Sequence, residues 1–303
     1  MSETTTAPLV YLVVLNWNGY GDTHECLESL RRLAYPNYRV LVVDNNSSDD
    51  SPERVAAAHP EAELLRCARN LGIAAGYNAG IRAALERGAA YVVPMNNDLD
   101  CDPLFVTHMV AAQRAWPRCG VVMPKIFYYE ERERIWSAGA YARWMPSNIV
   151  MRGRQQRDGP AFAEDAEIEF APSCCLLLSR ELAERVGFDE GYFFYYDDWD
   201  FCMEARKAGF SIVYAAQARL WHKVSRSTKN SPKSLRWWRV FGQSCVRYHR
   251  KHHDDGLLRR YVAWVLLRET LKGNLRPLPT LLAGVRAAMA ADLGDDMRPA
   301  WSS

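Results

Sequence analysis

Three apolar runs, each followed at once by polar residues, place the strongest constraint on how this chain can fold. Residues 10–15 lead to Asn16, residues 39–43 to Asp44, and residues 89–95 to Asn96. Continuous apolar runs of this length are typical of strands buried on both faces of a parallel sheet. Helical segments lie between them, so the pattern predicts an α/β fold with a Rossmann-like, mostly parallel central sheet. The polar residues should then meet at the sheet edge where such folds bind ligands.

The later part of the chain is less regular. Residues 103–116 and 120–123 continue the alternation, whereas residues 127–169 predict an irregular insertion or surface loops. A strand is predicted at residues 170–178, and two or three helices at residues 232–289. We therefore expect an α/β domain of residues 1–228, with the ligand-binding edge of the sheet, and a basic helical C-terminal extension of residues 229–303.

Charge is distributed unevenly along the chain. The net charge is only +2, but residues 223–276 contain 14 basic and three acidic residues. This asymmetry favours an anionic partner for the C-terminal part, such as a membrane surface beneath amphipathic helices. An ordinary packed helix with a solvated basic face explains it equally well, and no motif indicates nucleic acid. No apolar run reaches the roughly 18 residues that a membrane span needs.

The cysteines and the N-terminus bear on the cellular compartment. The eight cysteines form no CxxC pair and lie among apolar residues, and residues 1–8 are short and polar without a signal peptide. This usage predicts reduced thiols in a cytoplasmic protein, at most peripheral on the inner face of the membrane.

An acidic and amide-rich run, residues 96–100, follows the strand at residues 89–95. Its oxygen atoms suit a hard divalent cation, Mg²⁺ or Mn²⁺, and such a cation can hold a diphosphate. We predict Asp98, with Asn96 and Asp100, as metal ligands. The alternative is a helix cap, for which Asp102 is better placed. His222 ends another predicted strand, and it is a candidate ligand only if it lies beside Asp98.

A second acidic cluster, Asp197, Asp198 and Asp200, follows an aromatic stretch. Like charges held together raise the pKa of at least one carboxyl, which suits a general base. A solvated helix N-terminus is the alternative. Several aromatic residues could stack on sugar faces, although aromatic residues more often belong to the core. They are Trp136, Trp144, Tyr195 and Trp199.

Two further patterns suit nucleotide binding. Asp44 at a strand end can bond a base or ribose, or it can simply form a turn with the residues that follow. Glycines at positions 72, 76 and 80 leave one face of a predicted helix bare. Glycine in a helix costs about 1 kcal/mol relative to alanine, so the bare face implies close approach by a neighbouring element or a nucleotide.

The order of these motifs resembles glycosyltransferase family 2, in its rhamnosyltransferase-like branch, over residues 10–227. The motifs are Asn16-Trp17-Asn18-Gly19, Asp44-Asn45-Asn46-Ser47, Arg69-Asn70-Leu71-Gly72, Asn96-Asn97-Asp98, Gly187-Phe188-Asp189-Glu190, Asp197-Asp198-Trp199-Asp200, Ala208-Gly209-Phe210 and Trp221-His222. The resemblance implies a GT-A fold, a metal-bound nucleotide-sugar and inversion at the anomeric carbon.

The resemblance also implies roles for individual residues. Asp198 would be the catalytic base beside Asp197, Asp98 and Asn96 would lie at the metal position, and His222 would approach the metal. The nucleotide-sugar contacts would be Asn16, Asn18, Asp44, Asn46, Asn70, Gly72, Asn78 and Asn97. The family often has Glu where this chain has Asp197, and Gly where it has residues 172–175.

The resemblance favours dTDP-L-rhamnose as donor, with UDP-galactofuranose, UDP-hexoses and GDP-sugars as alternatives. The acceptor would be a saccharide or a lipid-linked saccharide. Two other classes remain open. A nucleotidyltransferase would normally carry a Gly-rich, basic loop after the first strand, which residues 16–19 are not. A non-catalytic sugar- or lipid-binding scaffold would bind donor without turnover, which the intact acidic clusters disfavour.

Overall fold

Strands and helices alternate through the N-terminal part of this computed structural model, which describes residues 7–143, 145–224 and 235–291. The elements run in the order β1 (Val10–Asn16), α1 (Tyr20–Leu30), β2 (Tyr38–Asp44), α2 (Ser51–Ala58), β3 (Glu63–Arg66), α3 (Gly72–Glu86), β4 (Tyr91–Asn96), β5 (Leu99–Cys101), α4 (Phe105–Ala115) and β6 (Cys119–Tyr128). These bounds follow the predicted apolar runs closely, except for β5, which the sequence did not indicate.

The second part of the fold adds short strands and then helices. Its elements are β7 (Ile135–Ser137), β8 (Ala140–Arg143), β9 (Met145–Met151), β10 (Ala166–Glu167), β11 (Leu177–Ser179), α5 (Arg180–Arg185), α6 (Asp197–Lys207), β12 (Ser211–His222), α7 (Leu235–His252), α8 (Asp255–Leu271) and α9 (Leu278–Ala290). A single 3₁₀ turn spans Pro160–Phe162.

The central sheet is mostly parallel, as predicted. Among the described residues its strand order is β10-β12-β6-β11-β4-β1-β2-β3, with β5 paired to β12 and β7 to β6. Strands β1 to β4 are mutually parallel, and β6 and β12 are parallel to each other. Short β11 is antiparallel to both of its neighbours, β4 and β6. The interiors of β1 and β4 are fully buried, because helices cover both faces of a parallel sheet.

The strand register brings the predicted polar residues together. Asn16 pairs with Asp44 across β1 and β2, and Leu15 pairs with Asn96 across β1 and β4. The three strands therefore end at the same level, and the loops that follow them share one edge of the sheet.

The bare glycine face of α3 packs against the sheet. A Cβ atom on Gly80 would lie 2.2 Å from a methyl carbon of Val13 in β1, and one on Gly76 would lie 2.7 Å from a methyl carbon of Leu15. Of the two explanations for this pattern, close approach by a neighbouring element is the one that the structure shows at these two positions.

Two sequence expectations are corrected by the structure. Residues 127–169 are not simply irregular: they contain a two-stranded sheet of β8 and β9, and β7 and β10 join the central sheet. The predicted strand at residues 170–178 is regular only at Leu177–Ser179. Residues before β11 still lie beside β4, because isolated bridges such as Met95 with Cys175 continue the contact.

The C-terminal helices pack on the α/β part of the chain, against the segment that precedes α6. A second apolar cluster joins Tyr192 and Tyr196, which precede α6, to Trp238 and Tyr248 of α7 and Tyr261 of α8. Within the described ranges, no helix is both long enough and apolar enough to cross a bilayer. All eight cysteines are free thiols, and seven of them are buried.

Candidate active site

Strand pairing brings Asp98 and His222 together. Strand β5 runs antiparallel to the end of β12, with Leu99 opposite His222, and the backbone N–H of Lys223 donates to the carbonyl oxygen of Asp98 (3.0 Å). The two side chains then meet, with Nε2 of His222 3.2 Å from Oδ1 of Asp98. His222 therefore lies beside Asp98, which is the condition under which the sequence made it a candidate ligand.

This pair is buried and strongly polarised. Burial opposes the charged forms, but the mutual attraction outweighs it, so the pKa of Asp98 is lowered and the pKa of His222 is raised to about 10. Oδ1 of Asp98 has Nε2 of His222 as its ion-pair partner but no well-aligned hydrogen bond, and Nδ1 of His222 is buried without a hydrogen-bond partner. The pair therefore sets a carboxylate oxygen and an imidazole nitrogen side by side, and both are groups that can ligate a divalent cation.

The other two predicted metal ligands lie in different surroundings. The side-chain oxygen of Asn96 accepts a hydrogen bond from the hydroxyl of buried Tyr77 (2.7 Å) and lies on the Asp98 side of the loop. Asp100 instead pairs with the guanidinium groups of Arg32 (3.0 Å) and Arg132 (2.6 Å). These two cations already neutralise Asp100, which argues against a role as metal ligand.

Asp44 is the centre of a hydrogen-bonded node that joins the first two strand-end loops. Its carboxylate accepts from the amide of Asn16 (2.9 Å) and from the hydroxyl (2.6 Å) and backbone N–H (3.0 Å) of Ser47. Asn16 in turn accepts from Thr23 of α1 (2.8 Å). Asp44 is 3% exposed, so its carboxylate is occupied by bonds that fix the two loops relative to each other.

Asn18 and Asn46 form the outer part of these loops. Both have left-handed backbones, with φ of 48° and 60°, which asparagine tolerates better than most residues. Asn18 receives a hydrogen bond from the backbone N–H of Ser48 (2.8 Å), which ties the two loops together. Asn97 donates to Thr23 (2.8 Å) and so joins the third strand-end loop to the first.

Asn45, which the sequence interpretation did not single out beyond its motif, holds the start of α3. Its amide group donates to Asn70 (3.1 Å) and to the carbonyl oxygen of Gly72 (3.0 Å), and it accepts from the N–H of Leu71 (2.8 Å). Gly72 has φ +78°, and a Cβ atom there would lie 2.8 Å from the carbonyl oxygen of Phe193. Only glycine fits this contact between α3 and the loop before α6.

Asn78 is used inside the protein. It donates to the carbonyl oxygen of Phe188 (2.8 Å) and to Glu190 (3.0 Å), and it accepts from the N–H of Phe188 (3.0 Å). These bonds anchor the segment of residues 188–190 on α3.

The second acidic cluster lies at the start of α6, next to the first. Ser173 donates its hydroxyl to Asp197 (3.1 Å), and the adjacent Cys174 accepts the N–H of Asn96 through its carbonyl oxygen (2.9 Å). The loop of residues 172–175 therefore joins both clusters into one site. The sequence had marked this loop only as a departure from the family pattern.

Asp197 and Asp198 share a poorly hydrated pocket. Burial raises the pKa of Asp197 to about 6, and burial together with the charge of Asp197 raises the pKa of Asp198 well above its usual value. One of the two carboxyls therefore holds its proton more tightly than an ordinary aspartic acid. Asp197 is buried, whereas Asp198 is half-buried and is the more accessible to a substrate.

Asp200 turns away from this pair. Its fully buried carboxylate receives Nζ of Lys251 (2.8 Å), Nε2 of His252 (2.6 Å) and the hydroxyl of Tyr192 (3.2 Å). Nearby Asp189 pairs with Arg247 (2.8 Å). Part of the basic C-terminal charge thus has its anionic partners within the chain itself.

The turn that delivers Asp197 has an unusual backbone. Tyr195 and Tyr196 are both left-handed, with φ of 67° and 64°, a conformation that costs free energy for bulky residues. Aromatic residues of α7 hold the turn: Tyr195 contacts Trp237, and Tyr196 packs on Phe241 and Tyr248.

The predicted sugar-stacking aromatic residues are mostly packed inside. Trp136 is 8% exposed and meets the ring of His222 edge-on, with centroids 5.0 Å apart. Trp199 is half-buried against Phe170, and Tyr195 is packed on α7. Trp144 lies outside the described residues.

Comparison with known proteins identifies the family. The model of the family "Glycosyl transferase family 2" matches residues 11–187, more than half of the chain, and the chain belongs to this family. It is 29% identical over 266 residues to N-acetylglucosaminyl-diphospho-decaprenol L-rhamnosyltransferase of Mycobacterium tuberculosis, which covers 78% of this chain and 80% of the relative. It is 24% identical over 284 residues to dTDP-rhamnosyl transferase RfbF of Shigella flexneri, covering 86% and 87%.

Solved structures share the fold. A mannosyltransferase from Pyrobaculum calidifontis, in complex with GDP-Man and Mn²⁺, superimposes with a TM-score of 0.56 at 20% identity, over 95% of this chain and 77% of the other. S. aureus TarS 1-349 with UDP-GlcNAc gives 0.58 at 15% identity, over 92% and 80%. The GT-A-like architecture and the C-terminal helices are confirmed, and the chain is a glycosyltransferase similar to rhamnosyltransferases.

Proposed function

We propose that this protein is an inverting, metal-dependent rhamnosyltransferase that transfers L-rhamnose from dTDP-L-rhamnose to an acceptor hydroxyl in bacterial glycan synthesis. The names of the two rhamnosyltransferase relatives support the sugar. The observation that carries the chemistry is the buried Asp98–His222 pair, because it sets a carboxylate beside an imidazole and the adjacent Asn96 bonds the loop that also bonds Asp197.

Asp98 and His222, with Asn96 beside them, would hold Mg²⁺ or Mn²⁺. Their 3.2 Å separation is close to the roughly 3 Å between neighbouring ligands of an octahedral cation with bonds of about 2.1 Å. The bound cation would supply Lewis-acid stabilisation of the departing diphosphate. Tyr77 would keep Asn96 in place through its hydroxyl.

The nucleotide would lie against the loops at the ends of β1 and β2. Asp44, fixed by Asn16 and Ser47, would face the base or ribose, and the polar backbone around Asn18 and Asn46 would border it. Asn70 and Gly72 form the neighbouring start of α3, and Asn97 closes the pocket near α1. These loops are tied to one another by hydrogen bonds, so the pocket is largely preorganised.

Asp198 would act as the general base. It would take the proton from the acceptor hydroxyl while the acceptor oxygen forms a bond to the anomeric carbon and the bond to the diphosphate breaks. A single in-line displacement of this kind inverts the anomeric centre and releases dTDP. Asp197 would keep its hydrogen bond from Ser173 and so fix the start of α6.

A lipid-linked saccharide is the proposed acceptor, because the mycobacterial relative is named for a diphospho-decaprenol substrate. The C-terminal helices offer a surface for such an acceptor. Leu267, Leu271 and Leu275 are 58%, 78% and 57% exposed, and exposed cations such as Arg260 and Lys272 accompany them. An anionic membrane suits this combination of apolar and basic groups.

The test is a thermal-shift panel of dTDP-L-rhamnose, UDP-glucose, UDP-galactofuranose and GDP-mannose, each with and without Mn²⁺. Ligand binding raises the melting temperature by mass action. We expect a Mn²⁺-dependent increase of a few degrees with dTDP-L-rhamnose. Asp98→Asn should abolish the metal-dependent part, whereas Asp100→Asn should keep it, because arginines already pair with Asp100.

Each alternative predicts a different result. A larger increase in melting temperature with a UDP- or GDP-sugar would indicate that this sugar nucleotide, and not dTDP-L-rhamnose, is the donor. The assignment of the metal site would be unaffected. An equal loss in Asp98→Asn and Asp100→Asn would contradict the assigned ligands. Donor binding without sugar transfer to a lipid-linked N-acetylglucosamine acceptor would favour a non-catalytic scaffold. Release of inorganic diphosphate would favour a nucleotidyltransferase.

A further inference from the structure

Two histidines and a glutamate meet on the face of α1 that is turned towards α2. His24 and Glu28 lie one helical turn apart on α1, and His59 follows the last residue of α2. Nδ1 of His24 lies 2.9 Å from Nε2 of His59, and one ligand atom from each of the three residues lies within 4.8 Å of the others. This cluster shares no residue with the Asp98–His222 pair.

The environment of His59 is unusual for a histidine without a function. The side chain is fully buried, and its Nδ1 has no hydrogen-bond partner. The nearest carboxylate oxygens, on Glu61 and Glu28, are 3.5 Å and 3.8 Å away. A buried imidazole with one nitrogen against a second imidazole and acidic groups around it has the composition of a metal site rather than of an apolar core.

We propose that His24, Glu28 and His59 bind a late first-row divalent cation such as Zn²⁺, with water completing the coordination. In a tetrahedral site with bonds of about 2.0–2.1 Å, ligand atoms lie roughly 3.3 Å apart, so the observed separations require only small side-chain shifts. Glu28 also contacts Arg31 (2.5 Å), and the cation would share or replace that partner. Two imidazoles favour Zn²⁺, whereas the Asp98 site, with the oxygens of Asp98 and Asn96 beside a single imidazole, favours Mg²⁺ or Mn²⁺.

The proposed cation would join two helices that carry the nucleotide loops. The N–H of Tyr20, at the start of α1, donates to Ser51, at the start of α2 (3.1 Å), and Asn18 bonds the loop between β2 and α2 through Ser47 and Ser48. A cation at His24, Glu28 and His59 adds a second link farther along the same helices. It would therefore stabilise the relative position of the loops that border the donor pocket.

The test measures Zn²⁺ binding to the full chain without any nucleotide-sugar. We compare calorimetric titration and melting temperature with Zn²⁺ alone, and the visible absorption spectrum with Co²⁺ as substitute, in wild type, His24→Gln, Glu28→Gln and His108→Gln. His24 and Glu28 are partly exposed, so these variants should fold as well as wild type before metal is added. His108, on α4, is the matched control for unspecific binding to histidine.

We expect wild type and His108→Gln to share one Zn²⁺-binding step that raises the melting temperature of both by a few degrees. His24→Gln and Glu28→Gln should bind Zn²⁺ at that step more than about tenfold more weakly, whereas any binding at Asp98 and His222 should be the same in all four proteins. Absence of a Zn²⁺ shift, or an equal shift in all four proteins, would overturn the proposal. The readout requires no sugar transfer, so failure of the rhamnosyltransferase proposal would leave this result unaffected.

Discussion

At the scale of single residues, Asp197 and Asp198 are neighbours that differ in burial and in hydrogen bonding. Asp197 is buried and receives the hydroxyl of Ser173, whereas Asp198 is half-buried and stands at the first turn of α6. Their shared pocket raises both pKa values, with Asp198 affected more strongly because its neighbour is also charged. Such a carboxylate is a stronger base than an exposed aspartate, which is what abstraction of a hydroxyl proton requires.

This arrangement predicts the pH dependence of transfer. A general base must be deprotonated, so kcat/KM should fall as the pH is lowered through the raised pKa of the pair. Asp197→Asn removes the neighbouring negative charge, which lowers the pKa of Asp198, so the acid limb of the profile should move to lower pH. Asp198→Asn should instead reduce kcat by about 10²–10⁴-fold at every pH.

Steady-state rates between pH 5 and 9 measure both effects, with the thermal shift of the donor as a control for binding. Unchanged turnover in Asp198→Asn would rule out its role as the base. An acid limb that stays in place in Asp197→Asn would show that the two carboxyls do not interact as inferred.

At the scale of elements, α7 holds α6 and the strained turn before it. Lys251 and His252 of α7 bond the buried carboxylate of Asp200, and the attraction raises the pKa of Lys251 although burial opposes it. The aromatic residues of α7 pack on Tyr195 and Tyr196, whose left-handed backbones need such support. The acidic cluster at the start of α6 thus depends on a helix that lies well beyond the matched family segment, which ends at residue 187.

Removing this support should cost both stability and activity. Asp200→Asn removes the buried carboxylate that Lys251 and His252 contact, although Lys251 keeps its pair with Asp189 (3.2 Å). The free energy of unfolding should fall by about 3 kcal/mol, which lowers the melting temperature by on the order of 5 °C. Glu181→Gln, on the neighbouring helix α5, is the control; its exposed pair with Arg185 (3.2 Å) should contribute less than about 1 kcal/mol. Differential scanning calorimetry compares the two, and equal losses would contradict the support assigned to α7.

At the scale of the whole molecule, the basic excess of residues 223–276 is only partly neutralised by its own chain. Lys223 pairs with Asp22 and Glu25, and Arg247 and Lys251 pair with Asp189. Other cations, Arg259, Arg260, Lys272 and Arg276, stay exposed beside the leucines of α8 and the segment after it. Charge and apolar surface therefore accumulate on the same helical extension.

This surface predicts binding to anionic lipid. The protein should co-sediment with phosphatidylglycerol-containing vesicles and much less with pure phosphatidylcholine, because each nearby cation adds about 1 kcal/mol of attraction to an anionic surface. Leu271→Glu should weaken binding by about tenfold or more, since a leucine contributes roughly 1.5–3 kcal/mol when buried in an apolar phase. Leu104→Glu, at a partly exposed leucine beside α4, is the control. Equal binding by both variants would assign the lipid contact to another surface.

Much of the fold was predictable because it depends on local pattern. The apolar runs at β1, β2 and β4 are buried strands, and parallel pairing of such strands necessarily brings Asn16, Asp44 and Asn96 to one edge. The sequence did not predict β5 or the strands within residues 127–169, because these strands are short. They are regular because they pair with other strands, and their own residue pattern is too weak to indicate a strand.

The sequence by itself determined the α/β class, the strand-end loops and the two acidic clusters, because side-chain hydrophobicity and spacing act locally. Only the tertiary structure decided which members of those clusters meet. Pairing of β5 with β12 places Asp98 beside His222. Asp100 forms ion pairs with two arginines, and Asp200 forms an ion pair with Lys251 of α7. Contacts between residues far apart in the chain arise from strand order and helix packing, and the residue pattern around each one does not encode its partner.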